Sequence, residues 1–107
     1  MPKSSDDLYT TDRNFQAIIQ LRPFNKKVYD FVLDLIKTRK NCFINKEVEQ
    51  KTGIDIYVNE SAFVMPIGKK LKNKFGGTVK VSRKLHSRDR QTSKAVYRVT
   101  ICFRLNE

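Results

Sequence analysis

Apolar and polar residues alternate from Phe15 to Arg22, with Phe15, Ala17, Ile19 and Leu21 on one side and Gln16, Ile18, Gln20 and Arg22 on the other. A period of two predicts a strand with one strongly apolar face, which Pro23 ends. The period then lengthens. Val28, Phe31, Val32, Leu35 and Ile36 recur at helical spacing, Asn25 stands at the N-cap position and the segment closes on cations. KKVYDFVLDLIKTRK therefore predicts an amphipathic helix.

CFINKEVEQKTGIDIYVN is less regular. Ile44 and Val48 alternate weakly, Thr52-Gly53 marks a tight turn and IDIYV is a short strand. Two strands joined by that turn is the preferred reading, with a short helix capped by Asn45 and stopped at Gly53 as the alternative for the first half. In SAFVMPIGKKLKNKFGG, residues Phe63, Val64, Ile67, Leu71 and Phe75 share a helical face. Ser61 can cap this second helix and Gly76-Gly77 can end it, while Pro66 and Gly68 predict a bend or a late start. TVKVSRKLH and KAVYRVTICFRL then read as two strands around the polar loop SRDRQTS. The order β-α-β-β-α-β-β predicts an α+β fold, a two-layer sandwich with both helices on one face of a largely antiparallel or mixed sheet. Residues 1–13, MPKSSDDLYTTDR, are polar and aperiodic and read as a flexible lead-in to a single domain over 14–107.

Composition sharpens the picture through charge. The chain of 107 residues carries 22 Lys/Arg against 11 Asp/Glu, a net +11. Residues 1–60 hold ten cations and nine anions, a balance of +1; residues 61–107 hold twelve and two, a balance of +10. A solvated surface without a partner mixes its signs, because like charges repel and weaken the compact state. The segregation points to a polyanion. No apolar run is long enough to span a bilayer, and the N-terminus lacks the apolar core of a secretory signal. Cys42 and Cys102 lie sixty residues apart without a CxxC pair. They read as buried, inert thiols in a reducing, cytoplasmic setting, with no metal or other cofactor.

If Val79, Val81 and Leu85 face the helices, then Lys80, Ser82, Lys84 and His86 face the open side, and the last strand adds Arg98, Thr100 and Arg104. Arg88, Arg90 and Lys94 extend this ladder to the hairpin tip. Helix two contributes Lys69 and Lys72 on its outer side, whereas Lys70 and Lys74 flank its apolar stripe and are as well explained by covering it. Arg83 has core parity and carries less weight. The candidate contact set is thus Lys80, Lys84, Arg88, Arg90, Lys94, Arg98, Lys69, Lys72, Arg83 and Arg104. Opposed like charges cost a sheet a few tenths of a kcal/mol per pair, so something other than stability must favour them.

The last two strands offer no aromatic residue on that side, and Tyr57 is the one exception in view. Stacking of single-stranded bases is thereby disfavoured, and phosphate and ribose contacts to structured RNA fit better. An anionic membrane would require apolar residues beside the lysines. Catalysis has no constellation to rest on. His86 is a lone surface residue, Asp55 has no carboxylate partner in sequence, and GKK at 68–70 lacks the upstream glycine of a phosphate loop.

AIIQLRP, TGIDIYV, KKLKNKFGGTVKVSRKL and VYRVTICFRL, in that order, resemble the archaeal branch of the large-ribosomal-subunit export adaptor family, the nonsense-mediated-decay-three family. The likeness covers roughly residues 15–105 and corresponds to the family's middle α/β segment without its zinc-binding region, as either an excised domain or a shortened stand-alone relative. It implies a non-enzymatic, ribosome-associated protein that binds structured rRNA in late large-subunit assembly or surveillance, with ribosomal proteins as candidate further partners. Apart from the resemblance, the sequence leaves the oligomeric state open, with a monomer as the favoured reading. The alternative is an adaptor that docks its basic face on an acidic ribosomal protein or assembly factor.

Overall fold

A computed structural model describes Tyr9 and residues 15–39, 42–62, 64–88 and 95–105, the side chains of 85–88 and 95–97 excepted. Its elements are β1 (Ala17–Arg22), α1 (Lys26–Thr38), β2 (Ile44–Gln50), β3 (Gly53–Val58), α2 (Val64–Phe75), β4 (Thr78–Arg88) and β5 (Ala95–Arg104). The strands form one mixed sheet in the order β2-β3-β1-β5-β4. β1 runs parallel to β5 at the centre and antiparallel to β3, and the remaining pairs are antiparallel. The α+β sandwich and its element order are those read from the periodicity.

The core lies between the sheet and the two helices. Ala17, Ile19 and Leu21 of β1, Ile54, Ile56 and Val58 of β3, and Val99, Ile101 and Phe103 of β5 are buried on the helix side. α1 meets them with Val28, Val32 and Ile36, one residue per turn, and α2 with Val64, Ile67, Gly68 and Leu71. The helices clasp each other through Phe31 and Phe75, edge to face with ring centroids 5.5 Å apart. Asn25 caps α1 as its position predicts, its side-chain oxygen accepting from the amides of Lys27 and Val28 at 2.9 and 3.4 Å.

Residues 44–50 are strand, which sets aside the helical alternative. A bulge between Ile44 and Lys46 breaks the alternation there, so Ile44 is buried beneath α1 while Val48, opposite Asp55, lies on the open side. That bulge explains the weak period in the sequence. α2 starts three residues after Ser61, whose backbone carbonyl accepts from the Val64 amide at 3.3 Å. Pro66 falls within the first turn, where its missing N–H costs no intrahelical bond, and the helix runs on without interruption. Phe63 lies outside the described residues.

Gly68 sets how closely α2 approaches the sheet. A Cβ there would stand 3.1 Å from Val79 Cγ1 and 3.3 Å from Ile101 Cδ1. The residue chosen against helix propensity is the one that lets the helix lie flat on β4 and β5. Gly77 answers a different demand: its φ is +92°, and a Cβ would lie 2.4 Å from the Arg104 carbonyl oxygen.

Two expectations follow. Gly68→Val destabilises the domain by about 1–3 kcal/mol through overpacking, whereas Gly68→Ala stays near neutral because a helix-propensity gain of up to about 1 kcal/mol offsets mild crowding; urea denaturation reads both. The second concerns pH. The Tyr29 hydroxyl donates to Glu47 Oε1 at 2.7 Å, and burial first, then this carboxylate, raise its pKa far above the ordinary tyrosine range. The folded chain keeps a proton that the unfolded chain releases above about pH 10, so stability is intact below that pH and falls as pH rises past it. Urea midpoints measured from pH 8 to 11 decline, and Tyr29→Phe flattens the decline.

Candidate nucleic-acid interface

The sheet face away from the helices is built by strand parity. Register opposes Thr78 to Arg104, Lys80 to Cys102, Ser82 to Thr100 and Lys84 to Arg98 across β4 and β5. Lys80, Lys84, Arg98 and Arg104 thus share one face, and Lys84 stands directly across from Arg98. Lys80, Lys84 and Arg104 are exposed and Arg98 is half-buried. Among the described residues none of the four forms an ion pair with a carboxylate.

Three candidates lie elsewhere. Lys69 and Lys72 are exposed on α2 and line a groove between that helix and β4. Arg83 pairs with Val99 in register, on the helix side, and its core parity is resolved by position rather than by burial. β4 is the outermost strand and α2 does not reach this far across it, so Arg83 is exposed. The seven candidates whose side chains are described therefore divide between the open face, with Lys80, Lys84, Arg98 and Arg104, and the helix side, with Lys69, Lys72 and Arg83. For Arg88 only the backbone is described, and a second bulge, between Leu85 and Ser87, separates it from the ladder below. Arg90 and Lys94 lie outside the described residues. Lys74 sits over the Phe31 ring at 4.8 Å, covering the helix–helix clasp.

Arg22 looks in sequence like a further open-face cation, but it is already engaged. Its guanidinium reaches Asp55 Oδ1 at 2.5 Å and donates to the carbonyls of Leu21 and Ile54 at 3.1 Å each. Asp55, a carboxylate without an evident role in sequence, is this arginine's counter-ion and also accepts from Gln50 Nε2 at 3.4 Å.

Two sequence readings are corrected here. Phe15 shares the parity of Ala17, yet it precedes β1 and its ring packs edge to face against Tyr57 at 4.7 Å. The Arg98 guanidinium stacks 4.0 Å above Phe15, and Lys46 lies 4.5 Å over Tyr57. The open side thus carries two aromatic rings where only Tyr57 is in view from the sequence. Both are covered by cations, which makes them supports for charge rather than bare stacking platforms. Cys102 is half-buried rather than enclosed, because its parity opposes that of Ile101 and Phe103. It lies in a shallow hollow with Thr78, Lys80 and Arg104. Among the described residues, no cluster of His, Cys, Asp and Glu could hold a metal ion, and no helix is long and apolar enough to cross a membrane.

Asp55→Asn removes the counter-ion from a largely buried guanidinium and lowers stability by about 1–3 kcal/mol, measured by chemical denaturation at neutral pH.

Comparison with curated proteins gave no match. The family model described as NMD3, second domain, matches residues 14–105.

Proposed function

The chain belongs to the NMD3 family, a family of ribosome export adaptors associated with the large subunit, and from that membership we propose that it is a non-enzymatic domain binding structured rRNA in late large-subunit assembly in the cytoplasm. The observation that carries the reading is the alignment of Lys80, Lys84, Arg98 and Arg104 on one sheet face with no ion-pair partner among the described residues. Cations held in that way keep their full attraction for phosphate. Arginine adds bidentate contacts, and the hydroxyls of Thr78, Ser82 and Thr100 between them suit phosphate and ribose oxygens. The stacking of Arg98 on Phe15 orients its guanidinium before any ligand arrives, which reduces the entropy lost on binding. Arg88, Arg90 and Lys94, close by in sequence, are assigned to the same RNA contact on charge alone.

Engaging about four to six phosphates gives a slope of log affinity against log salt near −3 to −5. With a large-subunit rRNA fragment as probe, Lys80→Glu combined with Lys84→Glu weakens binding at least tenfold while the circular dichroism spectrum stays native. Arg88→Glu combined with Arg90→Glu does the same. Affinity unchanged in both pairs, or a salt slope near zero, rejects the assignment.

A further inference from the structure

β4 is an edge strand, and among the described residues nothing pairs with its outer side. Half of its backbone donors and acceptors therefore point outward, a ready template for another strand. What flanks them differs between its two sides. Toward the helices lies an apolar groove of about 500 Å³, lined by Met65, Pro66, Gly68, Val79 and Val81 with Lys69 and Lys72 on its rim. Met65 and Val81 are each 43% exposed. Beyond Met65 the groove continues into a second hollow bounded by Ser61, Ala62, Arg83 and Val99. From Val79 to Arg83 that is about 14 Å of strand, room for four or five extended residues. Toward the open face the same strand presents Lys80 and Lys84.

We infer that the β4 edge and its groove bind an extended segment of a partner protein in which apolar residues alternate with Asp or Glu. Added strands keep the two-residue period of the sheet, so one set of side chains enters the groove beside Val79, Val81 and Met65 while the other meets Lys80 and Lys84. Acidic residues near the groove rim also meet Lys69 and Lys72. The apolar lining argues against nucleic acid in the groove, since phosphates gain nothing from methyl and thioether groups.

Charge selects the occupant. A second copy offering its own β4 brings four Lys/Arg and no carboxylate, like against like. Its other edge strand, β2, alternates Glu47-Val48-Glu49, but Glu47 is already held by the Tyr29 hydroxyl and Tyr9 bridges Ile44 on the outer side of that strand. The chain's acidic pair Asp6-Asp7 stands within three residues of Tyr9, which bridges Ile44 on the opposite edge strand. Three residues span at most about 11 Å, short of the roughly 29 Å that six strand spacings, from outside β2 to outside β4, require.

The test uses a fluorescein-labelled heptapeptide, Glu-Val-Glu-Val-Glu-Val-Glu, against the full chain, with labelled heptaglutamate as the charge-only probe. The alternating peptide binds at least tenfold more tightly than heptaglutamate and shifts amide resonances of residues 78–84 and of α2. Val81→Asp and Met65→Glu each lower its affinity at least tenfold with native circular dichroism, whereas Lys26→Glu on the exposed side of α1 leaves it unchanged. Equal binding of the two probes, or loss through Lys80→Glu but not through Val81→Asp, assigns the contact to non-specific attraction by the cationic face and overturns the inference. So does a concentration-dependent dimer of the free chain that Val81→Asp abolishes. Because rRNA affinity is measured separately, failure here leaves the RNA reading standing, and the reverse holds equally.

Discussion

Burying Ile19, Leu21, Ile56, Ile101 and Phe103 beneath two helices fixes the facing of the three inner strands. A one-residue slip in any of them would turn its apolar set to water, so register is strongly specified. Every other feature of the molecule is subordinate to that constraint. With both helices on one side, the odd-numbered positions of β4 from Val79 to Arg83 and of β5 from Val99 to Phe103 go to the core side. The even-numbered positions alongside them, with Lys80, Lys84, Arg98 and Arg104, go to the other. The cationic face costs the core nothing, because the pleat separates the two.

The same constraint sets what the edge strand can offer. β4 is eleven residues long and the helix beside it cannot cover it all. Near Gly68 the helix lies flat against Val79; farther along, Val81 and Arg83 keep core parity without core burial. Edge strands carry charge to discourage unwanted pairing, and here it is unevenly placed: Lys80 and Lys84 stand on the open side and Arg83 on the helix side, beyond Val79 and Val81. The helix-facing side of this edge is apolar at Val79 and Val81 and cationic around them, so the protection is selective: it repels cationic strands more than acidic ones.

The periodicity announced all seven elements because each relies on a local pattern that survives in a single sequence. Val28, Val32 and Ile36 mark a helix, and Ile101 and Phe103 mark a strand, whatever they pack against. Pairings between distant segments are different. Nothing near Asp55 points to Arg22, and nothing near Phe15 points to Arg98, since those contacts arise only when β1, β3 and β5 lie side by side. The bulge after Ile44 was hidden for a related reason: an inserted residue blurs the period without indicating which face resumes. Charge could be counted along the chain, but its division between the open face and the α2 side of β4 depends on where a helix stops covering a strand.

Phe15 lies just ahead of β1, where the polypeptide enters the sheet, and its ring carries Arg98 near the root of the β4–β5 hairpin. Entry point and hairpin are thereby fastened together although more than eighty residues of chain separate them. A pull on the polypeptide upstream would be delivered to the base of the hairpin, loosening the seat of an arginine on the basic face. Tension applied at Phe15 would thus be felt on that face without any direct contact to it.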